Sequence, residues 1–197
     1  MARLAPGGLA PGTVGDCTSN GDTIERVVQD GNVIIRCENE EERSAVRSVN
    51  LAAFGQDDEA DLVERLQHEG VVLLSLVAVA ERQIVGHILF SRMWIDTANR
   101  PIAAVALAPM AVLPGRQHQG VGGRLIRSGL NWLQDRGEHI VIVLGHPHYY
   151  PRFGFSTKKA RTLESPFPPY AFMATELSVN ALDGICGRVR YPAAFGL

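Results

Sequence analysis

A cluster of glycines in the middle of the chain is the clearest sign of a ligand site. Gly120, Gly122 and Gly123 follow a polar turn and stand where an amphipathic helix should begin. The first N–H groups of a helix have no partners within it, and the positive end of the helix dipole lies there. Glycines carry no side chain that would hold a phosphate away from those N–H groups. The pattern predicts an anion site, and a phosphate-bearing ligand in particular. For the glycines alone, a helix entry without any ligand is the alternative.

These glycines do not fit two familiar nucleotide motifs. A Walker A loop requires a Lys followed by Ser or Thr after the glycines, and the chain has no such pair there. The dinucleotide fingerprint G-x-G-x-x-G fails because Leu125 occupies the position of its last glycine. Neither motif is therefore indicated, although a nucleotide-binding fold of another type stays open.

The surrounding pattern predicts the elements that position this loop. Residues 102–113 form a predicted strand, in which Pro109 removes one ladder donor and is tolerated only at a bulge or an unpaired edge. We therefore expect the sheet to splay beside this strand. A helix then starts near Gly120, and the apolar residues 139–145 predict a second buried strand, parallel to the first. The three elements make one right-handed βαβ unit.

The rest of the chain predicts a single α/β domain with a mixed sheet. We expect a strand over residues 32–38, helices over 44–54 and 59–70, and an antiparallel hairpin over 71–96. Two further short strands are expected at 172–179 and 185–191, so antiparallel strands should lie at both ends of the sheet. Residues 1–31 are rich in Gly, Pro, Asp and Thr and are predicted to form a flexible N-terminal extension to the domain of residues 32–197.

The composition is that of an ordinary soluble globular protein. The formal net charge of −2 gives no electrostatic reason to expect nucleic acid. The longest apolar runs fall short of the roughly 20 residues that a membrane helix needs, and the first residues lack the apolar core of a secretory signal. We therefore expect a cytoplasmic monomer or homodimer without membrane attachment. Cys17, Cys37 and Cys186 lie far apart, so neither a disulfide framework nor a zinc site is predicted.

Two ordered motifs resemble those of the GCN5-related N-acetyltransferase (GNAT) superfamily. Gln-x-x-Gly-x-Gly follows a strand containing Leu-Ala-Pro-Met-Ala-Val, as in the acetyl-CoA-binding motif of that superfamily. Downstream, Tyr150-Pro-Arg-Phe-Gly154-Phe155 is similar to its Tyr-x-x-x-Gly-Phe segment, and the tail resembles a bacterial branch of predicted N-acetyltransferases. The resemblance covers about Val33 to Phe195. It implies the GNAT acyl-CoA N-acyltransferase fold, with a mixed sheet splayed between its fourth and fifth strands, and acetyl transfer from acetyl-CoA to a primary amine.

The resemblance also assigns cofactor-binding roles within this chain. The backbone of the splayed strand would hydrogen-bond the pantetheine arm of acetyl-CoA as an added strand would, and the loop amides would hold the pyrophosphate without a metal. Arg116 or Arg124 would add charge, and the loop histidine would pack over the cofactor. The implied cofactor-binding residues are Met110, Ala111, Val112, Gln117, His118, Gln119, Gly120, Val121, Gly122 and Gly123.

The expected chemistry is attack of a neutral amine on an acetyl thioester, which requires a proton acceptor for the amine and a proton donor for the thiolate. Tyr150 stands at the position of the general acid in the superfamily, and a phenol with a pKa of about 10 is protonated at neutral pH. Tyr150 as a packing aromatic is the alternative, and Tyr149 is expected to be structural. No cysteine or serine in the motifs is placed to carry the acyl group, so direct transfer in a ternary complex is expected.

The general base and the acceptor are less well specified. His146, at the end of its strand, is the named candidate base; the alternatives are a water relay, His148, His87 and Glu81. The lack of an obvious base is the one argument for a catalytically weak acetyl-CoA-binding sensor or regulatory protein. Residues 44–70 and 167–172 should border the acceptor. Four acids there can attract a cation, unless they are simply solvated loop charges: Asp57, Asp58, Glu59 and Asp61.

Overall fold

Over residues 33–197, which the computed structural model describes, eight strands form one mixed sheet and three α-helices pack against it. The extension predicted for residues 1–31 lies outside the described residues. None of the helices within that described part is long and apolar enough to cross a membrane. The helices are α1 (Arg43–Phe54), α2 (Asp58–Glu69) and α3 (Val121–Asp135). The strands are β1 (Val33–Cys37), β2 (Val72–Ala80), β3 (Gln83–Asp96), β4 (Pro101–Val112), β5 (Ile140–Leu144), β6 (Leu163–Glu164), β7 (Phe172–Glu176) and β8 (Gly187–Arg190).

The strand order confirms the predicted mixed sheet. It runs β1-β2-β3-β4-β5-β7, in which β4 and β5 are parallel and every other neighbouring pair is antiparallel. The hairpin of β2 and β3 and the β4-α3-β5 unit are both as predicted. The two C-terminal strands do not pair with each other. Instead β7 pairs with β5 and extends the sheet beyond it. Strand β8 pairs with residues 94–96 at the end of β3, beyond the part of β3 that pairs with β2.

Alternation along the strands sends side chains into cores on two faces of the sheet. Ile88 and Phe90 of β3 lie in a core with the fully buried Leu125 of α3. Leu89, between them in sequence, lies in a different core with Val46 of α1 and residues of α2. Hence α3 covers one face, and α1 and α2 cover the other. Burying each of these aliphatic or aromatic side chains contributes roughly 1.5–3 kcal/mol.

Strand β4 bulges at Pro109 and then separates from β5. The β3–β4 register shifts there, so that Ala108 and Pro109 oppose the single residue Leu89. On its other side β4 pairs with β5 only over Val105–Leu107, although β4 continues to Val112. The predicted bulge and splay are confirmed. Five residues of β4 therefore face an opening where a neighbouring strand would otherwise lie.

Candidate active site

The splay opens a cleft of about 930 Å³ whose walls come from both faces of the sheet. On the α3 side it is lined by the open part of β4, the loop before α3, the end of β5 and the short 3-10 helix Tyr150–Phe153. Residues of α1 and α2, Phe167 and the C-terminal tail line the other side. Of the ten predicted cofactor-binding residues, all but Gln119 line this cleft. The side chain of Gln119 instead donates to the Gly115 carbonyl oxygen, 3.0 Å away.

The loop between β4 and α3 leads into the helix through two residues in left-handed conformations, His118 and Gly120. The side-chain amide of Gln117 donates to the carbonyl oxygen of Val112 at 3.1 Å and ties the loop to the end of β4. His118 and Gly120 both adopt left-handed backbone conformations, with φ of 60° and 81°. Gly120 is the N-cap of α3, so the first N–H groups of that helix have no acceptor within it. This geometry suits an anion such as a phosphate.

Neighbouring side chains pack directly over the glycines of α3. A Cβ on Gly122 would lie 2.7 Å from the Tyr149 hydroxyl oxygen and 3.2 Å from the Met110 sulfur. A Cβ on Gly123 would lie 3.3 Å from a guanidinium nitrogen of Arg127. The absence of side chains at these positions therefore lets the helix backbone itself form part of the wall of the cleft.

Three arginines line the α3 side of the cleft. Arg116 forms an ion pair with Glu81 at 3.1 Å. Arg127 lies over the Phe153 ring and Arg152 over the Tyr149 ring, with centroid distances of 5.1 and 4.3 Å. Guanidinium groups near a helix N-terminus give a positive environment that favours phosphate oxygens.

The sequence identified one of these three arginines. Arg116 was predicted, whereas its alternative Arg124 does not line the cleft. Arg127 was missed, although its position four residues after Gly123 places it on the same face of α3 as that glycine. Arg152 was also missed, although it lies inside the Tyr150–Phe155 motif. Both could have been found by mapping charged residues onto the predicted helix and motif.

Tyr150 reaches the cleft from a buried position. Its ring packs edge-on against Tyr149 and Phe155, with centroid distances of 5.3 and 5.6 Å, and the residue is 7% exposed. Burial, with a smaller contribution from Tyr149, raises the pKa of the Tyr150 phenol well above its usual range. The hydroxyl therefore stays protonated at neutral pH. A protonated phenol in the wall of a cleft is a possible proton donor, so the predicted role of Tyr150 is compatible with its position.

Of the candidate proton acceptors, His146 lines the cleft. It is exposed just beyond β5, and its carbonyl oxygen accepts the Tyr149 N–H at 2.9 Å. His148 and Glu81 do not line the cleft, and the Glu81 carboxylate is engaged with Arg116. His87 is also absent from the walls of the cleft, because it is fully buried beneath α1.

His87 belongs to a chain of buried and partly buried hydrogen bonds. Asn50 Nδ2 lies 3.2 Å from His87 Nδ1, His87 Nε2 lies 2.9 Å from Ser75 Oγ, and Ser75 donates to the Glu38 carboxylate at 2.5 Å. This order fits a neutral ring that accepts at Nδ1 and donates at Nε2. Burial lowers the pKa of His87 to about 3 and raises the pKa of Glu38 above its usual value. His87 is thus a structural group in this arrangement.

The neutral state of His87 should make the protein less stable in acid. Its pKa is 6.5 in the unfolded chain and about 3 in the folded protein. The stabilisation is therefore complete above pH 6.5 and is lost as the pH falls from there toward 3. Below pH 6.5 we expect the free energy of unfolding to fall by up to about 1.4 kcal/mol per pH unit more steeply in the native protein than in His87→Gln.

Denaturant unfolding between about pH 5 and 7.5 measures this difference. The raised pKa of Glu38 acts in the opposite sense in both proteins, so comparing the two isolates His87. His68→Gln, at an exposed histidine in the last turn of α2, is the control and should follow the native protein. Parallel curves for the native protein and His87→Gln would contradict the assignment.

The side of the cleft formed by α1 and α2 contains part of the predicted acidic group. Residues of α1 and α2 and Phe167 line this side, and Glu59 is the one carboxylate among the described residues that line the cleft. Asp57 and Asp61 instead pair with Arg47, at 3.1 and 2.8 Å. Asp58 is exposed outside the cleft. Sequence reasoning missed three aromatic residues that line the cleft: Phe54, Tyr191 and Phe195.

Comparison with known sequences identifies relatives across most of the chain. The sequence model of the acetyltransferase (GNAT) domain family matches residues 73–157, from β2 through the Tyr150 motif. The uncharacterized N-acetyltransferase YhbS of Escherichia coli strain K12 is 32% identical over 166 residues, which cover 83% of this chain and 98% of YhbS. The uncharacterized N-acetyltransferase YjhQ of the same strain is 47% identical over 115 residues, which cover 57% of this chain and 63% of YjhQ.

Solved structures agree with the sequence relatives. The crystal structure of Escherichia coli YhbS in complex with CoA matches with a TM-score of 0.78 and 31% identity, over 84% of this chain and 93% of that chain. A GNAT family acetyltransferase from Brucella melitensis in complex with acetyl-CoA matches with a TM-score of 0.70 and 33% identity, over 83% and 97% of the two chains. The fold expected from the two sequence motifs is confirmed, and the chain belongs to the GNAT acetyltransferase family.

Proposed function

We propose that the protein transfers an acetyl group from acetyl-CoA to a primary amine by direct attack in a ternary complex. The observation that carries this proposal is one cleft that combines the open edge of β4 with the free N-terminus of α3. A ligand with an extended amide-bearing arm and a pyrophosphate needs both features. The complexes of YhbS with CoA and of the Brucella protein with acetyl-CoA support the choice of this ligand.

The open edge of β4 and the N-terminus of α3 bind different parts of acetyl-CoA. Backbone groups of Met110, Ala111 and Val112 hydrogen-bond the pantetheine arm, which takes the place that β5 leaves open after Leu144. The N–H groups of residues 120–123 and the guanidinium of Arg127 hold the pyrophosphate.

In the chemical step, Tyr150 and His146 move the protons. Acetyl-CoA supplies an activated acetyl thioester. As the amine nitrogen bonds to the acetyl carbon and the carbon–sulfur bond breaks, Tyr150 donates its phenolic proton to the departing sulfur. His146 accepts the proton that the nitrogen loses and releases it to solvent, from which the Tyr150 phenolate is protonated again. A backbone N–H of β4 polarises the thioester carbonyl.

Binding of acetyl-CoA should stabilise the fold measurably. At about 100 times its Kd, acetyl-CoA is expected to add about 2.7 kcal/mol, which corresponds to a rise in Tm of roughly 5–10 °C for a protein of this size. ATP or NAD at the same concentration should leave the Tm unchanged in a thermal-shift assay. A rise with ATP or NAD and none with acetyl-CoA would assign the cleft to another nucleotide.

Turnover distinguishes an enzyme from an acetyl-CoA sensor. A thiol-detecting reagent reports free CoA while the protein is incubated with acetyl-CoA and a series of primary amines. An acetyltransferase releases CoA with at least one amine at a rate that depends on the amine concentration. A sensor would show the rise in Tm with acetyl-CoA and release no CoA with any amine.

A further inference from the structure

We infer that the acceptor is a primary amine carried on an aromatic or similarly bulky apolar group, without a carboxylate beside the amine. The inference rests on the proposed acetyl transfer to an amine and names the class of amine. It comes from the half of the cleft that lies on the face covered by α1 and α2, away from the helix N-terminus and the three arginines.

Aromatic residues line this half of the cleft. Phe54, the last residue of α1, is 40% exposed, and Leu62 of α2 lines the cleft beside it. The Tyr191 ring packs against Phe167 at 5.6 Å and against Phe195 at 4.7 Å between ring centroids. Such a surface gains most from an apolar or aromatic group, which removes it from water and stacks on its rings.

The wall is fixed in place by hydrogen bonds between α2 and the C-terminal tail. Arg65 Nε donates to the Ala194 carbonyl oxygen at 2.9 Å. The Glu69 carboxylate accepts the N–H groups of Ala193 and Ala194, at 3.1 and 2.8 Å. These bonds hold the short helix Ala193–Phe195 against α2, and with it the Tyr191 and Phe195 rings. An acceptor therefore meets a largely preformed surface, which lowers the entropic cost of binding.

The charge of this half of the cleft fits a cation. Glu59 lines the cleft, as Phe54 and Leu62 do, and its carboxylate accepts from the exposed side-chain amide of Gln56 at 3.2 Å. The arginines that line the cleft belong to the loop before α3, to α3 and to the Tyr150–Phe153 segment, all on the opposite side. Among the described residues that line the acceptor half, none is a Lys or Arg that would face an acceptor carboxylate. An ammonium group is attracted there, whereas an amino acid would bring an unpaired carboxylate next to Glu59.

Three amines test the class directly in the thiol-release assay. Phenethylamine carries the proposed features, phenylalanine adds a carboxylate to the same body, and ethanolamine removes the ring. We expect kcat/KM for phenethylamine to exceed that of each of the other two by at least about tenfold. Equal or faster turnover of phenylalanine or ethanolamine would overturn the acceptor class and leave the acetyltransferase proposal standing. Release of no CoA with any primary amine would overturn the acetyltransferase proposal itself.

Two pairs of variants connect the preference to the wall. Glu59→Gln should raise the KM for phenethylamine by about 3- to 10-fold. It should also lower the ratio of kcat/KM for phenethylamine to kcat/KM for phenylalanine. Asp58→Asn, at the neighbouring carboxylate outside the cleft, should change neither this KM nor this ratio. Phe167→Leu should lower the preference for phenethylamine over ethanolamine by about 2- to 10-fold. Tyr170→Leu removes a 69% exposed ring of the same loop and should leave the preference for phenethylamine over ethanolamine unchanged. The inference is overturned if each control variant has the same effect as its partner.

Discussion

Replacing Tyr150 with phenylalanine should lower kcat by roughly 10²- to 10⁴-fold and leave the Kd for acetyl-CoA nearly unchanged. The substitution removes one hydroxyl and keeps the ring that packs against Tyr149 and Phe155. Because burial raises the pKa of this phenol, it stays protonated throughout the neutral range in the native protein. Steady-state kinetics with the most active amine, together with calorimetric titration of acetyl-CoA, measure the two quantities.

Tyr149→Phe is the matched control for this substitution. Tyr149 also lines the cleft, but its hydroxyl lies over Gly122 at the start of α3. Its loss should leave kcat close to the native value. If Tyr150→Phe retains full kcat, or if the two variants lose it equally, Tyr150 is not the specific proton donor.

Gly145→Ala should displace the phenol of Tyr150 without altering its chemical structure. A Cβ at Gly145 would lie 2.6 Å from Tyr150 Cδ2 and closer still to Cε2. The ring cannot move away freely because Tyr149 and Phe155 pack against it. We expect a loss of about 1–3 kcal/mol in the free energy of unfolding from overpacking. A shift of the hydroxyl by about 1 Å should also lower kcat by about 10²-fold.

The two effects of Gly145→Ala can be separated. In a Tyr150→Phe background, Gly145→Ala should still reduce stability but should lower kcat little further, since the hydroxyl it displaces is already gone. Gly115→Ala is the control, because a Cβ at Gly115 meets no heavy atom within 4 Å and its backbone needs no left-handed conformation. Full additivity of the two losses in kcat would show that Gly145 does not act through Tyr150.

Local sequence patterns were sufficient for most of the fold. The order of strand, glycine loop, helix and strand is encoded in the consecutive residues 102–145, so the βαβ unit could be predicted without knowledge of distant contacts. Pro109 indicated the bulge because proline has no N–H to donate to a neighbouring strand, and within a sheet it is therefore found at bulges or unpaired edges. Pairing of the last two strands was harder to predict, since their partners β3 and β5 lie far away in the sequence.

Residues whose roles depend on distant contacts were not predictable in this way. His87 looked like a possible base in the sequence, and only its packing against Asn50 and Ser75 shows it to be a buried structural group. Similarly, Tyr191 and Phe195 line the cleft. The tail that carries them is held by hydrogen bonds to Arg65 and Glu69, which precede it by more than 120 residues in the sequence. Gly145 carries no motif signal, and its importance comes from the ring packed above it.

One-step transfer to an amine is the central claim, and product analysis tests it most directly. The protein is mixed with acetyl-CoA alone and, separately, with acetyl-CoA and the most active amine, and both mixtures are followed by mass spectrometry. We predict an unmodified protein in the first mixture, and equal amounts of N-acetylated amine and CoA in the second. A protein that gains one acetyl group before the amine is added, or bound acetyl-CoA that yields no N-acetylated product with any amine, would contradict the claim.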